Sequence, residues 1–97
     1  MAERIRIDKW LWHARFYRSR VQAQQASISG LIRVNGVRVE KPSAGVGPGD
    51  IVTVPHGREI LAVQVEGIAQ RRGCAAEAQK LYRIVGEGLL DRGHAPS

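Results

Sequence analysis

The side chains best suited to chemistry in this sequence are basic, and they recur at helical spacing close to the N-terminus. Arg6, Lys9 and His13 stand three and four residues apart, so a helix would carry them along one stripe. Guanidinium and ammonium groups on one stripe can pair with the phosphates of a polyanion. The spacing therefore predicts an anion-binding surface on this segment.

A second basic group stands where the next helix is expected to begin. Ser19 is a residue type that caps helix N-termini, and Arg18 and Arg20 flank it. The open N–H groups of a helix N-terminus, with arginine side chains beside them, bind phosphate. Gln24 follows one turn after Arg20 and shares its polar side of the helix. This segment is predicted to extend the anion-binding surface.

Two further candidates lie at a tight turn. Arg33 precedes the Asn35-Gly36 pair, and this pair is the strongest short-range signal for a hairpin. An arginine at that place could reach the surface formed by the helices. The candidate binding residues predicted from the sequence are Arg6, Lys9, His13, Arg15, Arg18, Ser19, Arg20, Gln24, Arg33 and Asn35.

The distribution of charge indicates the chemical nature of the partner. The 97 residues contain fifteen Lys and Arg against nine Asp and Glu, which gives a net charge of +6. Eight of the basic residues but three of the acids fall within residues 1–40. A positive field concentrated on one part of a small domain attracts polyanions. The composition therefore favours a protein that binds nucleic acid.

Signals for catalysis, metals, cofactors and membranes are missing from the sequence. It has no phosphate-binding P-loop, no dinucleotide-binding glycine fingerprint and no nucleophile elbow. The histidines and the single Cys74 lack metal-ligand spacing, and one cysteine cannot form an internal disulfide. No apolar run approaches the roughly 20 residues of a membrane helix. We expect a cytoplasmic protein with no enzymatic activity, no cofactor, no metal and no membrane partner.

The apolar pattern first indicates two helices that position these side chains. Apolar residues recur every three to four positions over 7–14, which forms one face of a helix. A second helix is expected from Ser19 to Gly30, because glycine readily takes the left-handed conformation that ends a helix. The small residues of this second helix share a face suited to close packing: Ala23, Ala26 and Ser27.

The pattern then changes to the alternation that is typical of strands. Strands are predicted on both sides of the Asn35-Gly36 turn, over 51–54 and over 60–68. Helical spacing returns over 78–85, which predicts a C-terminal helix. The sequence thus predicts an α+β fold, with two N-terminal helices packed on a small, mostly antiparallel sheet and a third helix at the C-terminal end.

The aromatic residues of the first helix allow two interpretations. Trp10 is in phase with the apolar face, whereas Trp12 and Phe16 pair on another side of the helix. That pair is either a second apolar face, covered by the C-terminal helix, or a platform on which a nucleic-acid base stacks.

Several of these residues together resemble a known family. Their order and spacing over residues 6–54 are similar to those of the RNA-binding domain named after ribosomal protein S-four. The matching positions are Arg6-Ile7-Asp8-Lys9, Ser19-Arg20, Ala23, Gly30, Val34-Asn35-Gly36, Pro42 and Gly49-Asp50. The resemblance implies an αL-type RNA-binding motif, in which RNA lies across the two helices and the adjoining hairpin.

A longer match, from residue 4 to about residue 85, resembles the ribosome-associated heat shock protein 15 family. It is carried by Asp8-Lys9-Trp10-Leu11-Trp12, Ala14-Arg15-Phe16-Tyr17, Gln70-Arg71-Arg72, Ala76-Glu77-Ala78 and Leu81-Tyr82. This resemblance implies a bacterial cytosolic protein that binds ribosomal RNA on the large subunit. It also implies a role in recycling large subunits that carry a stalled nascent chain on tRNA.

Two other interpretations stay open. Two helices joined by a short turn also fit a DNA-binding helix-turn-helix protein. The S-four type domain also accompanies RNA-modifying enzymes, for which this chain would be an accessory RNA-binding subunit. For the favoured RNA-binding interpretation we expect a monomer with one domain over residues 4–86, its core motif at 6–54, and a flexible end at 87–97.

Overall fold

A computed structural model describes residues 4–69 and 72–89 of the chain. Within these residues the helices and strands are short. None of these helices has the length and apolar character needed to cross a membrane. The elements in chain order are β1 (Ile5–Arg6), α1 (Ile7–His13), α2 (Arg20–Ile28), β2 (Arg33–Val34), β3 (Val37–Arg38), β4 (Gly45–Val46), β5 (Ile51–His56), β6 (Glu59–Val65), α3 (Ala75–Gln79) and β7 (Tyr82–Leu89).

The main sheet supplies one side of the hydrophobic core. Five antiparallel strands lie in the order β3-β2-β5-β6-β7, and β1 pairs with β4 in a separate two-stranded sheet. Val52 and Val54 of β5 are buried, whereas Thr53 between them is half-buried on the other face. The buried residues of β5 and β6 share one core with Trp10 and Leu11 of α1. The predicted α+β fold with a mostly antiparallel sheet is confirmed.

Local chemistry fixes the limits of α2. The Ser19 hydroxyl accepts a hydrogen bond from the N–H of Gln22 at 3.1 Å, so the predicted N-cap is confirmed. Gly30, just beyond the helix, has a φ of +86°, the left-handed conformation expected there. The three small residues predicted to pack closely are all buried: Ala23, Ala26 and Ser27.

The hairpin between β2 and β3 turns at Asn35 and Gly36, as the sequence predicts. These residues have φ values of +53° and +82°, and the flanking Val34 and Val37 pair directly. Positive φ at both central positions is the requirement of a type I′ turn. A second hairpin joins β5 to β6, because His56 pairs with Glu59 across two residues.

The predicted helix over 78–85 is wrong in its extent. Helix α3 ends at Gln79, and residues from Tyr82 onward form strand β7, which pairs with β6. The apolar spacing of this short segment fits either element, and the backbone hydrogen bonds available along β6 decide for the strand. The first three residues of the predicted flexible end, 87–89, belong to β7, and the rest of that end lies outside the described residues.

Two described residues between β6 and α3, Gly67 and Arg72, are hydrogen-bonded to α1. The indole N–H of Trp10 donates to the carbonyl of Gly67 at 3.0 Å. Further along, the Nε of Arg72 donates to the carbonyl of Trp12 at 3.1 Å. These bonds join residues 57 and 60 positions apart, so residues from the C-terminal half of the chain support the first helix.

Candidate nucleic-acid interface

A buried carboxylate contacts basic residues at the start of both helices. Arg6, predicted on the first helix, is the last residue of β1 and the N-cap of α1. Asp8, at the start of α1, is fully buried. Its oxygens accept hydrogen bonds from Nε and Nη2 of Arg6 at 3.1 and 3.2 Å, and Oδ1 also accepts the backbone N–H of Lys9 at 2.8 Å. The Nε of Arg20, from α2, lies 3.8 Å from Oδ2. We call Asp8 with Arg6, Lys9 and Arg20 the Asp8 cluster.

The cations of the Asp8 cluster remain accessible to a ligand. The side chains of Arg6 and Arg20 are 48% and 40% exposed although Asp8 is not exposed at all, and Lys9 is half-buried. Each arginine thus contacts the carboxylate while a part of its side chain stays open to solvent. Exposed guanidinium groups in fixed positions are suited to phosphate oxygens.

The N-terminus of α2 adjoins this cluster through Arg20, its first residue. Arg18 is exposed, and its backbone N–H donates to Oε1 of Gln22 at 3.2 Å. Ser19 is half-buried as the cap, and Gln24 is half-buried one turn further on. The predicted second basic group therefore adjoins the first through the contact of Arg20 with Asp8.

His13 does not lie on the exposed stripe where the sequence placed it. Its side chain is only 1% exposed, and Nδ1 has no hydrogen-bond partner among the described residues. Burial is the main cause that lowers the pKa of His13 below its ordinary 6.5, and the nearby charges of Lys9, Arg20 and Arg72 lower that pKa further. A hydrogen bond with the backbone of Ala69 acts in the opposite direction. His13 is therefore a neutral interior residue beneath the cations.

Arg15 lies at the end of α1, on a strained backbone. Its φ is +65°, a conformation that non-glycine residues rarely adopt. The N–H of Phe16 donates to the carbonyl of Leu11 at 3.0 Å, which closes the helix. The Arg15 side chain is exposed, and its Nε donates to the carbonyl of Gly73 at 2.9 Å. Part of this guanidinium is thus engaged within the fold.

Arg33 is separated from the Asp8 cluster by the sheet. It pairs with Thr53, whose neighbours Val52 and Val54 point into the core, so its side chain lies on the outer face of the sheet. Its direct partner across the hairpin is Arg38. The prediction that Arg33 reaches the surface of the helices is therefore wrong, because the register of β2 against β5 turns it away.

Asn35 has a structural task at the hairpin. Its Oδ1 accepts the N–H of Ile51 at 2.9 Å, and its Nδ2 donates to Oδ1 of Asp50 at 3.1 Å. These bonds tie the turn to the beginning of β5. Both polar atoms of the amide are thus used inside the protein, which leaves one N–H of this side chain for a ligand.

Trp12 and Phe16, predicted to pair on one side of the helix, are both partly covered, but not by a helix; Phe16 lies beyond the end of α1, with its ring 6.0 Å from that of Trp10. The Phe16 ring lies 4.8 Å from that of Tyr82, the first residue of β7. The guanidinium of Arg72 lies 5.6 Å from the centre of the Trp12 ring, a cation–π distance. Because β7 replaces the predicted helix, a strand and an arginine cover these rings. Trp12 stays half-buried, and base stacking on it remains a prediction.

The binding residues predicted from the sequence do not include Asp8, Arg72 or Arg38. Asp8 belongs to the family motif, and an acid inside a basic stripe indicates an internal ion pair. Arg72 and Arg38 carried no such signal, because their positions depend on pairing with distant parts of the chain. In the described part of the chain, no group of three or more His, Cys, Asp and Glu is placed to hold a metal ion.

Comparisons with known proteins agree with this geometry. The S4 domain matches residues 5–52. Heat shock protein 15 of Escherichia coli is 37% identical over 91 residues, which cover 94% of this chain and 68% of that protein. The RQC P-site tRNA stabilizing factor of Listeria monocytogenes is 31% identical over 91 residues, covering 94% and 97%. The trimeric structure of heat shock protein 15 from Vibrio cholerae superposes with a TM-score of 0.79 at 41% identity, covering 84% and 82%.

Proposed function

This chain belongs to the heat shock protein 15 family of S4-domain proteins and is an RNA-binding protein, and we propose that its RNA is ribosomal RNA of the large subunit. The observation that carries this proposal is the Asp8 cluster. It brings two partly exposed guanidinium groups to one carboxylate, that of Arg6 from the end of β1 and that of Arg20 from the start of α2. Charged donors held in this way recognise the backbone of folded RNA more than its base sequence.

The chemistry proposed for the interface is phosphate binding without catalysis. Arg6 turns Nε and Nη2 toward Asp8, and its Nη1 is the group offered to RNA. Arg20 stands at the first turn of α2, where its guanidinium and the backbone N–H groups can bind the same phosphate. Lys9 and Arg18 extend the contact along the RNA backbone.

We extend the proposal to the tRNA of a stalled ribosome. The name of the Listeria monocytogenes relative refers to P-site tRNA, and that relative matches this chain over almost all of its length. In this proposal the chain binds ribosomal RNA and tRNA together in the cytoplasm. There it helps to recycle large subunits that carry a stalled nascent chain. The heat-shock role rests on the name of the Escherichia coli relative.

Other assignments receive less support. The relatives described above carry no enzyme name, so a catalytic activity of this chain is not proposed, and neither is a role as accessory subunit of an RNA-modifying enzyme. The relatives described above favour RNA binding over the helix-turn-helix alternative. The monomer stays a prediction, and the Vibrio cholerae relative was solved as a trimer. Light scattering of this chain would measure its oligomeric state.

Fractionation of a cell lysate on a sucrose gradient tests the ribosomal proposal. The chain is expected to sediment with large subunits more than with small ones at low salt, and to leave them at high salt as counterions return to the RNA. Ribonuclease treatment should release it. If the chain stays at the top of the gradient at low salt, or binds duplex DNA as tightly as folded ribosomal RNA, the proposal fails.

A pair of charge reversals tests the surface. Lys9→Glu is expected to weaken binding to a large-subunit RNA fragment by about 1–3 kcal/mol, because it replaces attraction by repulsion at the Asp8 cluster. Arg58→Glu makes the same change of charge at the exposed β5–β6 turn and is the matched control. Equal losses in both variants, measured by filter binding, would show that net charge rather than this surface determines affinity.

A further inference from the structure

Resting on the proposed RNA binding, we infer that Asp8 is a positioning residue of the interface: a buried anion that aligns Arg6 and Arg20 for phosphate. Asp8 itself does not touch the ligand, because it is fully buried. Its effect passes through the two arginines, which come from different parts of the chain. The carboxylate is the feature that joins them.

The contacts to Arg6 define the plane of its guanidinium. Two parallel N–H···O bonds at 3.1 and 3.2 Å form a bidentate pair, which fixes orientation as well as distance. A free arginine side chain samples many rotamers, and ordering them on binding lowers affinity. Asp8 orders Arg6 before RNA arrives, so that this entropy is not lost at the binding step.

The contact to Arg20 works by charge rather than by a hydrogen bond. Its Nε lies 3.8 Å from Oδ2 of Asp8 and has no hydrogen-bond partner among the described residues. Two guanidinium groups repel each other, and a shared carboxylate offsets this repulsion. Asp8 therefore allows two positive charges to lie close together at the junction of α1 and α2. Without it, repulsion would drive the two arginine side chains apart.

Positioning and simple electrostatics predict opposite signs for one substitution. Asp8→Asn keeps the shape of the side chain and removes a negative charge from a surface that attracts phosphate. If Asp8 acted only through its charge, the variant would bind RNA more tightly. If Asp8 positions the arginines, the variant binds more weakly although its net charge has risen by one. The sign of the change thus separates the two accounts.

The experiment measures affinity for a folded large-subunit RNA fragment over a series of salt concentrations, with thermal melting of each variant to define the folded fraction. Asp8→Asn is expected to bind at least tenfold more weakly, with a shallower dependence of log affinity on log salt by about one phosphate contact. Glu59→Gln, an equal change of charge on the exposed β5–β6 hairpin, is expected to leave both quantities unchanged. Tighter or equal binding by folded Asp8→Asn overturns the inference.

Two further variants make the result independent of folding losses. In an Arg6→Gln, Arg20→Gln background, Asp8→Asn is expected to have no additional effect on affinity, since nothing remains to be positioned. Arg6→Lys preserves the net charge but cannot form the bidentate pair, so it is expected to bind several-fold more weakly. Wild-type affinity in folded Arg6→Lys contradicts positioning even if Asp8→Asn does not fold. If the wild-type chain itself binds no RNA, the proposed function fails instead.

Discussion

The side-chain carbonyl of Asn35 accepts the backbone N–H of Ile51 at 2.9 Å and so fastens the hairpin turn to the central strand of the sheet. The same side chain donates to Asp50 at 3.1 Å. Asn35 also adopts a φ of +53°, which asparagine tolerates better than most residues. Asn35 thus stabilises the turn in two ways, by the conformation of its backbone and by the hydrogen bonds of its side-chain amide.

Asn35→Ala is expected to destabilise the fold by about 1–3 kcal/mol, because it leaves the Ile51 N–H without its partner and places alanine at positive φ. Urea unfolding followed by tryptophan fluorescence measures this loss. Asn35→Gly removes the same bonds but fits the backbone, so it should lose less. Equal stability of the wild type and Asn35→Ala would mean that water replaces the side chain at no cost.

Gly36→Val tests the turn conformation alone. A Cβ at Gly36 would meet no atom within 4 Å, yet its φ is +82°, so the cost comes from backbone strain and not from a clash. We expect a loss of at least about 1–2 kcal/mol in stability, since valine is β-branched. A melting temperature equal to that of the wild type would contradict the type I′ turn.

The elements that the sequence predicted well are those determined by neighbouring residues. The Ser19 cap, the left-handed Gly30 and the Asn35-Gly36 turn each depend on the chemistry of a few adjacent positions. The prediction that RNA lies across the two helices came from the resemblance to the family. These features needed no knowledge of which distant segments meet.

The errors fall where distant segments decide. His13 is interior, with the backbone of Ala69 as a distant hydrogen-bond partner, and Arg33 faces outward because of its register against Thr53. Tyr82 begins a strand because β6 offers it hydrogen bonds, although its spacing also fits a helix. Periodicity reports which residues share a face of one element. It does not report what that face meets.

A comparison of two substitutions at Arg15 isolates the strain at the end of α1. Arg15→Gly and Arg15→Ala both lose the hydrogen bond to Gly73, which the wild type makes at 2.9 Å. Only alanine retains the cost of a φ near +65°, so the glycine variant is expected to be more stable than the alanine variant by about 1 kcal/mol. Equal stability in chemical denaturation would show that the backbone relaxes out of this conformation.

The buried His13 predicts a loss of stability in mild acid. Its folded pKa lies below the ordinary 6.5, first because it is buried and then because of the charges of Lys9, Arg20 and Arg72. Below pH 6.5 the unfolded chain therefore binds a proton that the folded chain does not accept, and stability falls as the pH falls toward the folded pKa. The loss from this residue cannot exceed about 1.4 kcal/mol per pH unit.

The measurement is the free energy of unfolding in urea at pH 7.5 and at pH 5.5. His13→Gln can keep a donor for the backbone of Ala69 but carries no titrating group, so it is expected to lose less stability between these pH values than the wild type does. His56→Gln makes the same substitution at an exposed histidine and serves as control. If the wild type and His13→Gln lose equal stability, the imidazole does not oppose protonation in the folded chain, and its position beneath the cations has no effect on acid stability.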